Sequence, residues 1–127
     1  MKHFIKFCKV VVVIVFITTV SSCHKEGGGG KSTVNGYVTH HGKVIPHAIV
    51  YIKYGATEFP GADVSSYDAS LTTDVYSHYE FDDLRMGNYY LYGLGYDNDI
   101  MQTVAGGVGV KLKYDKTTHI DVPVTEQ

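Results

Sequence analysis

The chain of 127 residues contains no tryptophan, three prolines and two cysteines, and its only arginine is Arg85. Each scarcity excludes something. Cys8 and Cys23 alone cannot build a disulfide framework or a four-cysteine zinc site. One arginine and a formal charge of −2 leave no basic field to attract nucleic acid. The longest apolar run, Val10 to Val20, is interrupted at Thr18-Thr19 and falls short of the roughly 20 apolar residues that cross a bilayer. No stretch repeats with helical periodicity. Motifs of nucleophilic catalysis are also missing, with neither a Gly-x-Ser-x-Gly nor a Ser-His-Asp arrangement. Gly27 to Ser32 reads Gly-Gly-Gly-Gly-Lys-Ser like the end of a phosphate-binding loop, but Lys25 stands where its first glycine would be and no buried strand precedes it.

What is present begins with Lys2, Lys6 and Lys9, the short apolar run, and then Val20-Ser21-Ser22-Cys23. This order predicts a signal peptide over residues 1–22. It resembles the lipobox of bacterial lipoproteins, and that resemblance implies that Cys23 becomes the lipidated first residue, carrying palmitate and anchoring the protein in the outer membrane. Which face of that membrane is occupied stays open, although Lys25-Glu26 loosely resembles the export signals of surface lipoproteins of the Bacteroidetes group. Cleavage takes those three lysines from the 11 basic residues and none of the 13 acids, leaving a formal charge of −5. Residues 23–31 read as a glycine-rich flexible tether. Residues 32–127 are long enough for one compact domain and too short for two.

Within 32–127 the pattern has period two. Val34, Gly36 and Val38 alternate with Asn35, Tyr37 and Thr39, and Ala48, Val50 and Ile52 alternate with Ile49, Tyr51 and Lys53. Leu71 to Thr73 is short; Tyr79 and Phe81 share a phase, as do Tyr89, Leu91 and Gly93. Val104 to Leu112 and His119 to Val124 complete seven strands, with Pro123 placing the last at an edge. Single-sided strands must close face to face, which predicts an all-β sandwich. The predicted core is Val34, Val38, Val50, Ile52, Tyr79, Phe81, Leu91, Val108, Val110, Ile120 and Val122, and Phe81→Ala is expected to cost about 3–5 kcal/mol. Residues 55–69 form a long loop that Phe59 and Tyr67 pin to the sandwich.

The succession Thr73-Asp74, Tyr79-x-Phe81-x-x-Leu84 and Gly87-x-Tyr89-x-Leu91, with Gly42-Lys43-x-Ile45-Pro46-x-Ala48-x-Val50-x-Ile52 before it, resembles the carboxypeptidase regulatory-like domain. That resemblance implies a seven-stranded Greek-key sandwich of transthyretin-like topology with no catalytic role and no cofactor. His47 departs from the pattern where a small residue or glycine is common, and Tyr76 and Ser77 stand where Asp or Asn and Gly are typical. The zinc-binding His-x-x-Glu of carboxypeptidases is absent, as is the Tyr-Arg-Gly-Ser ending of transthyretin-related hydroxyisourate hydrolases.

Three functions remain. The leading one is a non-catalytic interaction or assembly module working through its outer sheet face or long loop, with a protein partner. The second is glycan binding: with Leu91 inward, Tyr90 and Tyr92 share the outer face about 7 Å apart, Tyr51 is outward on its own strand, and exposed rings stack on sugars. The third is a cryptic hydrolase using His78 or His119 with Asp74. His40, His41, His47, His78 and His119 read as solvated turn residues, because adjacent His40 and His41 on a strand end should point to opposite faces and so hold no metal together. Asp97-Asn98-Asp99 reads as a plain acidic turn, lacking the spacing of a calcium loop.

Overall fold

A computed structural model describes residues 25–127. The expected signal peptide and Cys23 lie outside the described residues. Ten strands pair into two five-stranded sheets facing each other, as an all-β sandwich. The first sheet holds β1 (Gly28–His40), β2 (Lys43–Val44), β5 (His78–Leu84), β8 (Thr117–His119) and β9 (Val122–Pro123). The second is ordered β10 (Thr125–Glu126), β7 (Gln102–Leu112), β6 (Gly87–Asp97), β3 (Ile49–Tyr54) and β4 (Ala69–Thr72).

Ten strands replace the expected seven for local reasons. Lys43 and Val44 pair back on His40 and Thr39 as an extra strand. The last expected strand is cut in three: β8 and β9 run parallel to β1, and the chain then crosses to β7 as β10. The crossing passes so near β1 and β7 that a side chain at Gly36 would strike Ile120 O and one at Gly106 would strike Pro123 O. Pro123 sits on this border segment, where its missing N–H does no harm.

The expected tether is partly a strand. Glu26 accepts the Asn88 N–H at 3.0 Å, Gly27 donates to the Tyr89 hydroxyl at 2.8 Å, and Gly27 O takes the Arg85 N–H at 2.8 Å. A Cβ at Gly30 would meet the Leu84 and Arg85 backbone. These glycines therefore let the chain lie close against β5 and β6.

Seven of the predicted core residues are buried: Val34, Val38, Val50, Ile52, Tyr79, Leu91 and Val122. Phe81, Val108, Val110 and Ile120 are only half-buried against that core, because β5, β7 and the β8–β9 segment border their sheets and cover its rim. Ile45, Ala48, Leu84, Tyr89, Val104, Leu112 and Val124 complete the core. The departures at His47 and Ser77 have a backbone cause: both hold positive φ, 56° and 67°, where glycine is least strained. Ser77 compensates by donating its hydroxyl to Val38 O at 3.0 Å.

Candidate functional site

The outer face of the second sheet is built by register. Tyr51 lies opposite Tyr92, and Tyr92 and Tyr90 lie opposite Gly107 and Gly109 of β7. Three tyrosines therefore stand beside a strip of Ala105, Gly107 and Gly109. The strip makes room for the 55–69 loop, whose Thr57 O lies 2.7 Å from where a Gly109 Cβ would be. From this loop Phe59 packs on Tyr92 and Tyr90, with ring centroids 5.4 and 6.0 Å apart, and Tyr67 stacks on Tyr92 at 5.7 Å and meets Tyr51 at 5.8 Å.

The tyrosine face expected to be open is thus covered. Tyr90 and Tyr92 keep 8% and 6% of their surface, and Tyr51 is half-buried. With Ala105 they form a second apolar cluster, separate from the core between the sheets. The loop is pinned as its aromatics implied. Tyr67 donates to Gly61 O at 2.9 Å, Lys53 Nζ donates to Ser66 O at 2.8 Å, and Asp68 accepts the Tyr54 N–H at 2.7 Å. Burial pushes the Tyr67 phenol up to about 12. What remains accessible is an open cleft of about 360 Å³ between Phe59 and Gln127, with Gly106 and Gly107 on its floor. Phe59 itself is 53% exposed.

A second feature is the border of β7. Gln127 N–H donates to Thr103 O and Gln127 Nε2 to Ala105 O, so the odd-numbered residues of β7 turn their main chain away from β6. β10 covers only Val104 and Ala105. Beyond it, Gly107, Gly109 and Lys111 present main-chain N–H and C=O groups with no strand partner among the described residues. The other borders are blunted: β5 carries Glu80, Asp82 and a left-handed Asp83, β4 has four residues, and β9 contains Pro123. Charge, brevity and proline are the usual defences of a sheet border; β7 has none of them before Lys111.

A third constellation lies where β1, β6 and β10 end together. His40 is buried, with Nδ1 2.7 Å from Asp97 Oδ2 and Nε2 3.1 Å from Glu126 Oε2. Lys43 Nζ reaches Asp97 Oδ1 at 3.0 Å and also pairs with Asp99. Hydrogen bonds from His40 and then from Lys43 hold the Asp97 carboxyl down to about 2. Asp97 is thus a buried hub, not the plain acidic turn the sequence implied.

His41 corrects the other expectation. Its φ of 54° breaks the strand alternation, so the two imidazoles lie on the same side with ring centroids 4.2 Å apart. The sequence offered only Gly42 after it as a hint of that turn.

Among the described residues no hydrogen bond or ion pair joins the ring of His78 or His119 to Asp74. Asp74 Oδ1 accepts the main-chain N–H groups of Tyr76 and His78, which closes a turn. His119 faces Asn35 and Asp121.

No family model matches the chain, and no curated protein does. Among solved structures it is similar to a protein of Pseudomonas aeruginosa described as a "putative carbohydrate binding protein", with a TM-score of 0.48 and 15% identity over 76% of this chain and 90% of that one.

Proposed function

We propose that this protein is a non-catalytic binding module of the cell envelope, of the carboxypeptidase regulatory-like type, anchored in the outer membrane by a lipid on Cys23. It engages a partner protein by strand pairing along β7. The observation that carries the reading is the bare border from Gly107 to Lys111, onto which an extended segment adds with main-chain hydrogen bonds and little demand on its own sequence. Half-buried Val108 and Val110 supply apolar contact on the inner side of the same border.

The anchor reading gains support from the opposite end of β1. With Glu26 already docked on Asn88, only His24 and Lys25 separate it from Cys23. The end of the sandwich beside it carries Lys31 and Arg85 together with exposed Met86 and Tyr114 around a shallow cavity of about 340 Å³. Cations and amphipathic rings of this kind suit a lipid headgroup surface. The glycan reading moves from Tyr51, Tyr90 and Tyr92 to the cleft beside exposed Phe59, where one ring face and the Gln127 amide are accessible.

Lys111→Pro tests strand pairing, since it deletes an outward N–H without touching the ladder to β6. Pull-down from detergent-solubilised membranes is expected to lose its partner with this variant while the melting temperature holds. Recovery equal to wild type ends the proposal. Glycan-array binding abolished by Phe59→Ala would instead establish the second reading. Palmitate-analogue labelling that survives Cys23→Ala would end the anchor.

A further inference from the structure

We infer that His40, His41 and Glu126 form a binding site for a transition-metal dication of the zinc type at the end of the sandwich where the two sheets meet. The inference is independent of the anchor and of the β7 border.

Asp97 is a carboxylate and accepts, so the 2.7 Å contact puts a hydrogen on His40 Nδ1. Nε2 of the same ring faces Glu126 Oε2 at 3.1 Å. The ring therefore presents Nε2 toward a carboxylate oxygen, the arrangement in which both atoms can ligate one cation. A proton would satisfy His40 and Glu126 alone. The two-residue turn His41-Gly42 between β1 and β2, with φ of 54° and 81°, brings His41 Nε2 to 3.7 Å from the same Glu126 oxygen. A dication uses all three.

The spacing fits. One ligand atom from each residue lies within 4.8 Å of the others, and zinc bonds of about 2.0–2.1 Å put tetrahedral ligand atoms roughly 3.3 Å apart. The 3.1 and 3.7 Å contacts to Glu126 bracket that edge, and the third edge, no longer than 4.8 Å, closes by rotation of His41, which is 75% exposed. Two imidazoles and one carboxylate favour zinc and its neighbours over calcium or magnesium, which prefer all-oxygen shells.

Support behind the ligands is also present. Asp97 holds the His40 ring by its far nitrogen, as carboxylates commonly do behind metal-bound histidines. Lys43 in turn holds the other Asp97 oxygen at 3.0 Å. Glu126 is fixed by β10, whose residues pair with Val104 and Ala105. The two histidines come from one sheet and the carboxylate from the other, so a bound ion braces the sandwich at this end. Three protein ligands leave a position for water or an exogenous ligand.

The test uses the processed protein without a polyhistidine tag, stripped with chelator and titrated with Zn²⁺ and with Mg²⁺ by calorimetry. The expected result is uptake of about one Zn²⁺ per chain, no Mg²⁺ heat, and a melting temperature that rises with free Zn²⁺. Cobalt substitution should give the intense visible bands of a four-coordinate site. His41→Ala and Glu126→Gln change exposed side chains, keep the fold and should abolish uptake. Asp97→Asn should weaken it about 10–100-fold, and His119→Ala should leave it unchanged. Absence of Zn²⁺ uptake, or uptake that survives both His41→Ala and Glu126→Gln, overturns the site.

Discussion

The two faces of β6 are both dry, and they are dried by different means. Tyr89 and Leu91 point inward and are enclosed by the opposing sheet, in a core shared with Val34, Val38 and Val122. Tyr90 and Tyr92 point outward and are covered by Phe59 and Tyr67 from a single loop. Enclosure by a sheet is tied to the whole fold, whereas a loop can lift while the sandwich stays closed. The inner face should therefore report global stability and the outer face local opening.

Leu91→Ala is the severest way to sharpen this contrast, with an expected loss of about 2–5 kcal/mol in urea unfolding because the enclosed site cannot collapse. Tyr92→Ala should cost less, about 2 kcal/mol, since the loop can settle into the space. Its distinctive sign is faster proteolysis within residues 55–69 under conditions that leave the sandwich intact. Equal losses at Leu91 and Tyr92, with no gain in loop cleavage, would erase the distinction between the faces. Phe81→Ala, half-buried at a border, should fall below the roughly 3–5 kcal/mol of an enclosed ring.

Tyr67→Phe removes the bond to Gly61 O and should cost about 0.5–1.5 kcal/mol. It also tests the alkaline limb. The folded Tyr67 phenol is raised to about 12, so between pH 10 and about 12 the unfolded chain loses a proton that the folded chain keeps, and stability falls as pH rises. In Tyr67→Phe that part of the fall should vanish, and an unchanged alkaline slope would contradict the burial assigned to this phenol. Phe59→Ala should be the mildest, under about 1 kcal/mol, because the ring is 53% exposed.

The inner face was legible from alternation alone. Val34 and Val38, Val50 and Ile52, and Tyr89 and Leu91 each keep the phase of a two-residue repeat within one strand, and all are buried. Alternation also placed Tyr90 and Tyr92 outward correctly, but it carries no information about what lies over them. The one trace was on β7, where Ala105, Gly107 and Gly109 leave a trough that only the register with β6 aligns beside the tyrosines. At His41 the rule failed outright, since a single left-handed residue reverses the side on which a chain presents its neighbours. The glycine-rich segment expected as a tether is partly β1 for a related reason: glycine permits both freedom and close approach, and composition does not distinguish them.

Which side of each strand avoids water is a local property of residues two apart, and the amino-acid order by itself determined it, together with the all-β class. Which dry sides meet, which border stays bare and which charges converge were decided only in three dimensions. His40 finds Asp97 across 57 positions and Glu126 across 86, through a strand crossing and a register that no short-range pattern encodes. Contacts at that separation depend on how the sheets close, because closure alone brings the ends of β1, β6 and β10 to one place.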